Sequence, residues 1–404
     1  MLRPLIAVAT SALLASTSAA LAEPDPQDWD AVLEEACGQT VYWNAWGGDT
    51  RINAFIASVG DELQTHYGVT LEHVKLSDTA TAVTRVVSEK AAGRDEDGAV
   101  DLIWINGANF LSMKENDLLF GPFAESLPNW QYVDVEGKPS VVNDFTVPTD
   151  GFESPWAMAQ LVFEYDSAVL PEPPRSMGAI AAWAAKNPGR FAYPQPPNYL
   201  GGTFLKQVLY GVIEDPSVLQ FSADHSDYDA VTAPLWSFID ELTPNLWRAG
   251  QAYPQNEPRL AQLLADGEID ISFAFNPARA SASIADGELP DTVRTYVLDE
   301  GSIGNASFVA IPYNAKNKAG ALVLANLLLE PATQARAQDP NFLGFQTVLD
   351  VAGLPAADRA PFDALEFGIA TLPPAERGTA LLEPHASWMT RIEADWTERY
   401  GVAE

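Results

Sequence analysis

The stretch Thr40-Val-Tyr-Trp-Asn-Ala-Trp-Gly-Gly-Asp-Thr50 decides the fold. Residues 40–46 are rich in aromatic and β-branched side chains and read as a buried strand. Two glycines then turn the chain, and Asp49 or Thr50 offers an oxygen to the first N–H groups of a helix. Ile52, Phe55, Ile56, Val59 and Leu63 recur at helical period and make one apolar face, and Gly68 suits a C-terminal stop. Further along, the pattern predicts a second strand at Val69 to Val74 and a helix opened by Ser77 or Asp78 that carries Val83, Val86 and Val87. After the turn Asp95-Glu-Asp-Gly98 comes a third strand, Ala99 to Ile105. Strand and helix alternating over short connections imply right-handed crossovers and a parallel sheet, the start of an α/β domain.

Beyond this unit the chain changes character. Pro171, Pro173, Pro174, Pro188, Pro194, Pro196 and Pro197 break up long elements. Helical periodicity returns at Thr203 to Val212, Ala233 to Leu242 and Arg259 to Asp266, with strands at Ile269 to Phe275 and Ser307 to Ile311 and a helix at Ala319 to Leu329. The tail from 336 to 404 reads as short helices separated by prolines.

The 404 residues, 47% hydrophobic, suffice for two or three packed domains. Against 55 Asp and Glu stand only 23 Lys and Arg, a net charge of −32 that repels a phosphate backbone and argues against nucleic-acid binding. The single cysteine, Cys37, excludes an internal disulfide and reads as a small buried hydrophobe. Residues 1–22 read as a secretory leader: Arg3, an apolar run from Leu5 to Leu14, and cleavage after Ala20-Leu-Ala22. Glu23 rather than a lipid-accepting cysteine follows that cut, so a soluble periplasmic protein is expected, a monomer by default.

In an open parallel sheet, ligands bind beyond the carboxyl ends of the strands. That rule selects Asn44, Trp46, Gly47, Gly48 and Asp49 after the first strand, the segment Ser77 to Thr81 after the second, and Asn106, Asn109 and Phe110 after the third. Amides and aromatic faces around a cleft orient and stack a small ligand. Glu153 and Trp156, where the first unit hands over to the proline-rich middle, join the candidates, as do Tyr199, Asn276 and Asn305 at later loop boundaries. Plainer readings exist: Trp43 and Trp104 as core, Asp49 as a helix cap, Asn106-Gly107 as a turn. No Gly-x-Ser-x-Gly elbow, His-Glu-x-x-His or phosphate loop is present, the four histidines share no ligand spacing, and neither cofactor nor metal is expected.

Taken together, Trp43-Asn-Ala-Trp-Gly-Gly-Asp49, Trp104-Ile-Asn-Gly-Ala-Asn-Phe110 and Ser154-Pro-Trp156 before Leu161-Val-Phe-Glu-Tyr165 resemble the extracellular solute-binding proteins of ABC importers, within them the YnjB-type branch, distantly related to thiamine- and iron-binding receptors. The resemblance implies a two-lobe periplasmic-binding-protein fold of type II. Each lobe would be a mostly parallel sheet flanked by helices, and a hinge would join the two. Lobe one would hold 23–156 plus 299–335 and lobe two 157–298, with 336–404 bracing both. The chain would cross near Trp156 to Gln160 and return near Val297 to Gly301. The iron receptors' adjacent tyrosines are missing, which disfavours ferric iron. Trp46, Phe110 and Trp156 as ring faces, with Asp49 and Glu153 as counter-charges, suggest a small organic solute, cationic and thiamine-like, passed to an inner-membrane permease. The competing expectation is a secreted hydrolase acting on a small or glycan substrate.

Overall fold

The computed structural model describes residues 23–373, 376–378 and 380–402. The leader reading of residues 1–22, with its cleavage after Ala22, lies outside the described residues. Strand β1 (Thr40–Trp46) pairs in parallel with β2 (Thr70–Leu76) along its whole length and with β3 (Leu102–Ile105) on its other side. Between β1 and β2 runs the helix Thr50–Tyr67, which buries the predicted Ile52, Phe55, Ile56, Val59 and Leu63. Its N-terminus is capped by the Asp49 carboxylate and its C-terminus closes at Gly68. The helix Ala80–Ala91 buries Val83 and Val86 and leaves Val87 in solvent, a correction of one position in its face. Upstream, where acidic residues gave no periodic signal, Asp28 caps a short helix, Trp29–Ala36. Cys37 follows that helix end and is exposed, since the chain turns outward there toward Gly38 rather than into the sheet.

A hairpin of β4 (Asn143–Asp144) and β5 (Val147–Pro148) precedes β6 (Glu153–Gln160). The chain then enters a second body built on β7 (Val162–Asp166), β8 (Ile271–Ala274) and β9 (Val293–Tyr296), and returns along β10 (Ser302–Ala310). A last short strand, β11 (Ala380–Leu381), lies beside the start of β10. In the first sheet β10 is antiparallel to both β3 and β6. In the second sheet β7 is antiparallel to β8 and β9, while Phe191 bridges Ile271 in parallel. The expected mostly parallel sheets therefore carry reversed members: β10, with β11 parallel beside it, in the first sheet, and β7 in the second. In both lobes the reversed strand has just come through the crossing, so it must run back from the hinge while its neighbours run toward the cleft.

Two hydrophobic cores result. One gathers residues from 32–157 and 306–362, the other from 161–303 and 370–396. The chain thus leaves the first core after Ala157 and enters the second at Leu161; on the return Ile303 still belongs to the second core and Ala306 to the first. Trp156 ties the first core together: its ring lies 4.8 Å from Trp104, 5.9 Å from Trp43 and 5.9 Å from Phe55.

The tail is less fragmented than its prolines suggest. Its last helix, Ala386–Tyr400, buries Trp388, Ile392 and Trp396 in the second core, and the Trp396 indole donates to the Tyr193 hydroxyl at 3.0 Å. Removing so large a buried ring leaves a cavity costing about 3–5 kcal/mol. Trp396→Ala is therefore expected to lower the urea midpoint sharply, whereas loss of an exposed side chain such as Val87→Ala leaves it almost unchanged; urea denaturation followed by circular dichroism checks this.

Candidate functional site

The carboxyl ends of β1 and β3 open onto the second core. Arg51, in the first turn of the helix after β1, reaches across to the carbonyl oxygens of Ala282 at 3.2 Å and Pro340 at 2.9 Å and to the Asp286 carboxylate at 2.5 Å. At this end of the cleft Asp49 lies near half-buried Glu257 and near Arg279, whose guanidinium is paired with Glu164 and stands 3.6 Å from Glu257.

At the other end the two lobes meet in a denser polar cluster. After β3 the backbone turns at Gly107, at φ 59° and ψ −125°, and its N–H donates to Asp144 at 2.5 Å. A Cβ on Gly107 would sit 3.3 Å from the Phe145 ring, so a side chain would crowd that ring as well as strain the backbone. Phe145 and Thr146 form the two-residue tip of the β4–β5 hairpin with φ of 47° and 65°. Positive φ at both tip positions is the type I′ signature, normally filled by Asn-Gly, and costs on the order of 1–3 kcal/mol per residue for side chains like these. In this conformation the Phe145 ring stands 4.5 Å from the Lys206 ammonium, which comes from the second lobe.

Lys206 lies on the helix Tyr199–Val212, whose N-cap is Asn198. Tyr199, Thr203, Lys206 and Tyr210 fall on one stripe of it at helical spacing. Close approach at its first turn depends on Gly202, where a Cβ would meet the Glu393 carboxylate at 2.5 Å. The Lys206 ammonium is fully buried and bonds Glu383 at 2.5 Å. Asn305 on β10 donates to the Tyr199 hydroxyl at 2.6 Å and to Glu383 at 3.1 Å. Beside this cluster is a cavity of about 250 Å³, lined in part by Asn143, Phe145, Thr146, Asn305 and Glu383.

Acids face acids across the cleft. Burial and the neighbouring Asp49 push Glu257 up to about 7. Burial, with Asp78 opposite, pushes Glu393 up to about 7 although Lys206 pulls it back. Burial pushes Asp144 up to about 8; the Gly107 N–H, Asn106 and Lys206 oppose that rise and Glu383 adds to it. Asp144 is 1% exposed, and its Oδ1 has no hydrogen-bond partner. Among the described residues no three or more His, Cys, Asp or Glu side chains are grouped to hold a metal ion, and no helix is long and apolar enough to cross a membrane.

The sequence-selected residues fall into three groups. Asn106, Tyr199 and Asn305 join the Lys206 cluster; Asn106 also donates to the Ala306 carbonyl at 2.6 Å, and Tyr199 is 37% exposed. Trp46, Gly47, Gly48, Asp49 and Asn276 border the Arg51 end. There Asp49 is occupied as a cap at 2.7 Å and 3.0 Å, the Gly47 carbonyl accepts from Asn53, and the Trp46 ring lies over Gly48. Asn276 stabilises its own turn through Ala278 and reaches the Leu343 carbonyl. The third group sits inside the first lobe. Asn44, Phe110, Glu153 and Trp156 are buried, the last three completely, and Asn109 is half-buried beside Phe110. Trp156 offers no free face, because other rings cover it, and Glu153 is held behind Asp144 with burial pushing its carboxyl well up.

Sequence reasoning missed Asp144, Phe145, Lys206, Glu257, Glu383 and Glu393. One signal was available: Lys206 is the only charge in the apolar run Leu200 to Ile213, on the same stripe as Tyr199. Phe145-Thr146 carries no turn residue, and Glu383 lies far along the chain in a proline-rich tail.

Two lobes around a polar cleft define a receptor that encloses a small molecule. The chain belongs to the bacterial extracellular solute-binding proteins, whose family model matches residues 58–356. As a member of this family it is an extracellular solute-binding protein and not an enzyme. Protein YnjB of Escherichia coli strain K12 is 44% identical over 375 residues, covering 93% of this chain and 94% of that one. Among solved structures, the spermidine/putrescine ABC transporter substrate-binding protein PotD of Streptococcus pneumoniae matches with a TM-score of 0.61 at 16% identity, over 90% of this chain and 98% of that one. The periplasmic binding protein AfuA of Actinobacillus pleuropneumoniae, with fructose-6-phosphate bound, matches with a TM-score of 0.62 at 13% identity, over 90% and 99%. At such identities these likenesses establish the fold alone, and it is the type II periplasmic-binding-protein fold.

The position of Asp144 has a measurable consequence. A carboxyl raised from about 4 when unfolded to about 8 when folded adds stability below pH 4 that is lost as the pH rises through 8. Asp144→Asn keeps an oxygen for the Gly107 N–H but cannot ionise. Its stability relative to the unsubstituted protein is expected to rise by a few kcal/mol between pH 5 and pH 9, read by denaturant midpoints across that range.

Proposed function

We propose that this protein captures a small organic cation between its two lobes and passes it to a membrane permease. The observation that carries the reading is the set of carboxylates opposed across the cleft, Asp49 to Glu257, Asp78 to Glu393 and Asp144 to Glu383. Bringing like charges together in a partly dry cleft opposes closure unless protons or a cation lie between them. A cationic solute removes that repulsion and contacts both lobes, so it shifts the population toward the closed form. No chemistry on the solute is required.

The cations at the cleft do not favour an anionic solute. Lys206 is paired with Glu383, Arg279 with Glu164 and Glu257, and Arg51 with Asp286. An anion would have to break one of these pairs and leave a buried carboxylate exposed to the others, at a cost of about 3–5 kcal/mol for a pair as buried as Lys206–Glu383. The sequence-derived expectation of a thiamine-like solute and the polyamine named for PotD are both members of the cationic class. Tyr199, Asn305 and Asn106 supply orientation, and Trp46 supplies a half-exposed ring at the far end.

Isothermal titration of the chain from Glu23 onward with thiamine, putrescine and spermidine tests this reading. At least one is expected to bind, and more tightly at pH 8.5 than at pH 6. Protons compete with the cation for Glu257, Glu393 and Asp144, groups raised to about 7 or 8, so affinity climbs as they ionise. Absence of heat with all three, or binding of fructose-6-phosphate in their place, overturns it.

A further inference from the structure

The Lys206 ammonium is fully buried, yet it is not placed as a structural ion pair of one lobe. Its surroundings converge from four separate parts of the chain: Phe145 from the strained hairpin tip of the first lobe, Tyr199 from its own helix, Asn305 through its bonds to Tyr199 and Glu383, and Glu383 from the tail. The two ring centroids lie 4.5 Å and 5.5 Å from the nitrogen, and the carboxylate oxygen lies at 2.5 Å. Two aromatic faces and one carboxylate around a single nitrogen form a seat for an alkylammonium group. The 250 Å³ cavity shares Phe145, Asn305 and Glu383 with that seat. Two further acids, Asp144 and Glu393, lie close enough to interact with Lys206, and the 1%-exposed Asp144 keeps its Oδ1 without a partner. Lys206 thus holds one carboxylate in contact and has two more acids in its electrostatic neighbourhood.

We infer that this cage is the seat for a primary amino group of the solute, and that Lys206 is its built-in occupant, a tethered ammonium that holds Glu383 until the solute's own ammonium replaces it. The inference rests on the reading of the solute as an organic cation and makes it specific: at least one of its charges is an alkylammonium rather than only an aromatic ring cation. Exchange of one ammonium for another leaves the charge inside the cage unchanged, so Glu383 is never left unpaired. Asp144 and Glu393, whose charges already act on Lys206, are the acids toward which its flexible four-carbon stem would turn. Phe145 is the part of the cage contributed by the other lobe, so the seat is complete only when the lobes meet.

Deleting the tethered amine tests this directly. In Lys206→Met, n-butylammonium chloride at millimolar concentration is expected to raise the melting temperature by several degrees, while n-butanol and sodium chloride at equal concentration do not. The unsubstituted protein, whose cage is filled, is expected to respond at least threefold less. The double variant Lys206→Met, Glu383→Gln is expected to lose the response. If Lys206→Met does not fold, Lys206→Gln carries the same comparison, because its amide still donates to Glu383. Equal stabilisation of substituted and unsubstituted protein, an equal effect of n-butanol, or persistence of the response without the Glu383 carboxylate would each overturn the inference. The n-butylammonium comparison is independent of the solute titration: failure of all three natural cations to bind removes the functional reading, whereas failure of the alkylammonium response removes only the tethered occupant.

Discussion

The ladder between β6 and β10 is the constraint on which the molecule depends. The two strands pair from Gly304 with Gln160 to Ala310 with Glu153, slipping once between Ser307 and Phe308. One strand leads the chain out of the first core and the other brings it back, so both crossings lie side by side on one hydrogen-bonded ribbon. A ribbon resists stretching far more than bending, and the bodies at its two ends can swing but not separate. Because it also reverses the direction of the strand that follows each crossing, the same ladder accounts for the reversed β10 in the first sheet and the reversed β7 in the second. The loops after β1 and β3 and the start of the helix at Tyr199 are thereby turned toward one another.

What fills the cleft is chiefly negative. A protein with such an excess of acid needs no further carboxylates for solubility, and burying them costs free energy that exposed ones would not. Their placement opposite one another, with one buried lysine paired to Glu383 and two more acids nearby, is a stability sacrifice concentrated where the lobes meet. The strained Phe145-Thr146 tip is another, in the same few ångströms. Binding sites draw on such local costs, because a ligand that relieves them contributes its own affinity to closure.

Local pattern made the framework legible. The stripe from Ile52 to Leu63, the Asp49 cap and the Gly68 stop are properties of neighbouring residues, and the structure has each as read. The site was legible only in part, for a physical reason: residues chosen by the sheet-edge rule were chosen by position along the chain, not by what covers them. Trp156 has the chemistry of a stacking face, but the rings of Trp43, Phe55, Trp104 and Phe345 close over it in the core. Glu383 has no local feature that distinguishes it from other acids, and acquires meaning only because the tail folds back onto Lys206, 177 residues earlier. A type I′ turn without glycine or asparagine cannot be recognised from turn propensities, since it exists in spite of them.

The interleaving of the two cores bears on the order in which the two bodies can assemble. The first core waits for residues 306–362, and the second waits for Trp388, Ile392 and Trp396, close to the last described residue. Each body therefore closes only when a segment from the far side of the other has joined it, and neither can fill its core from one unbroken stretch of chain.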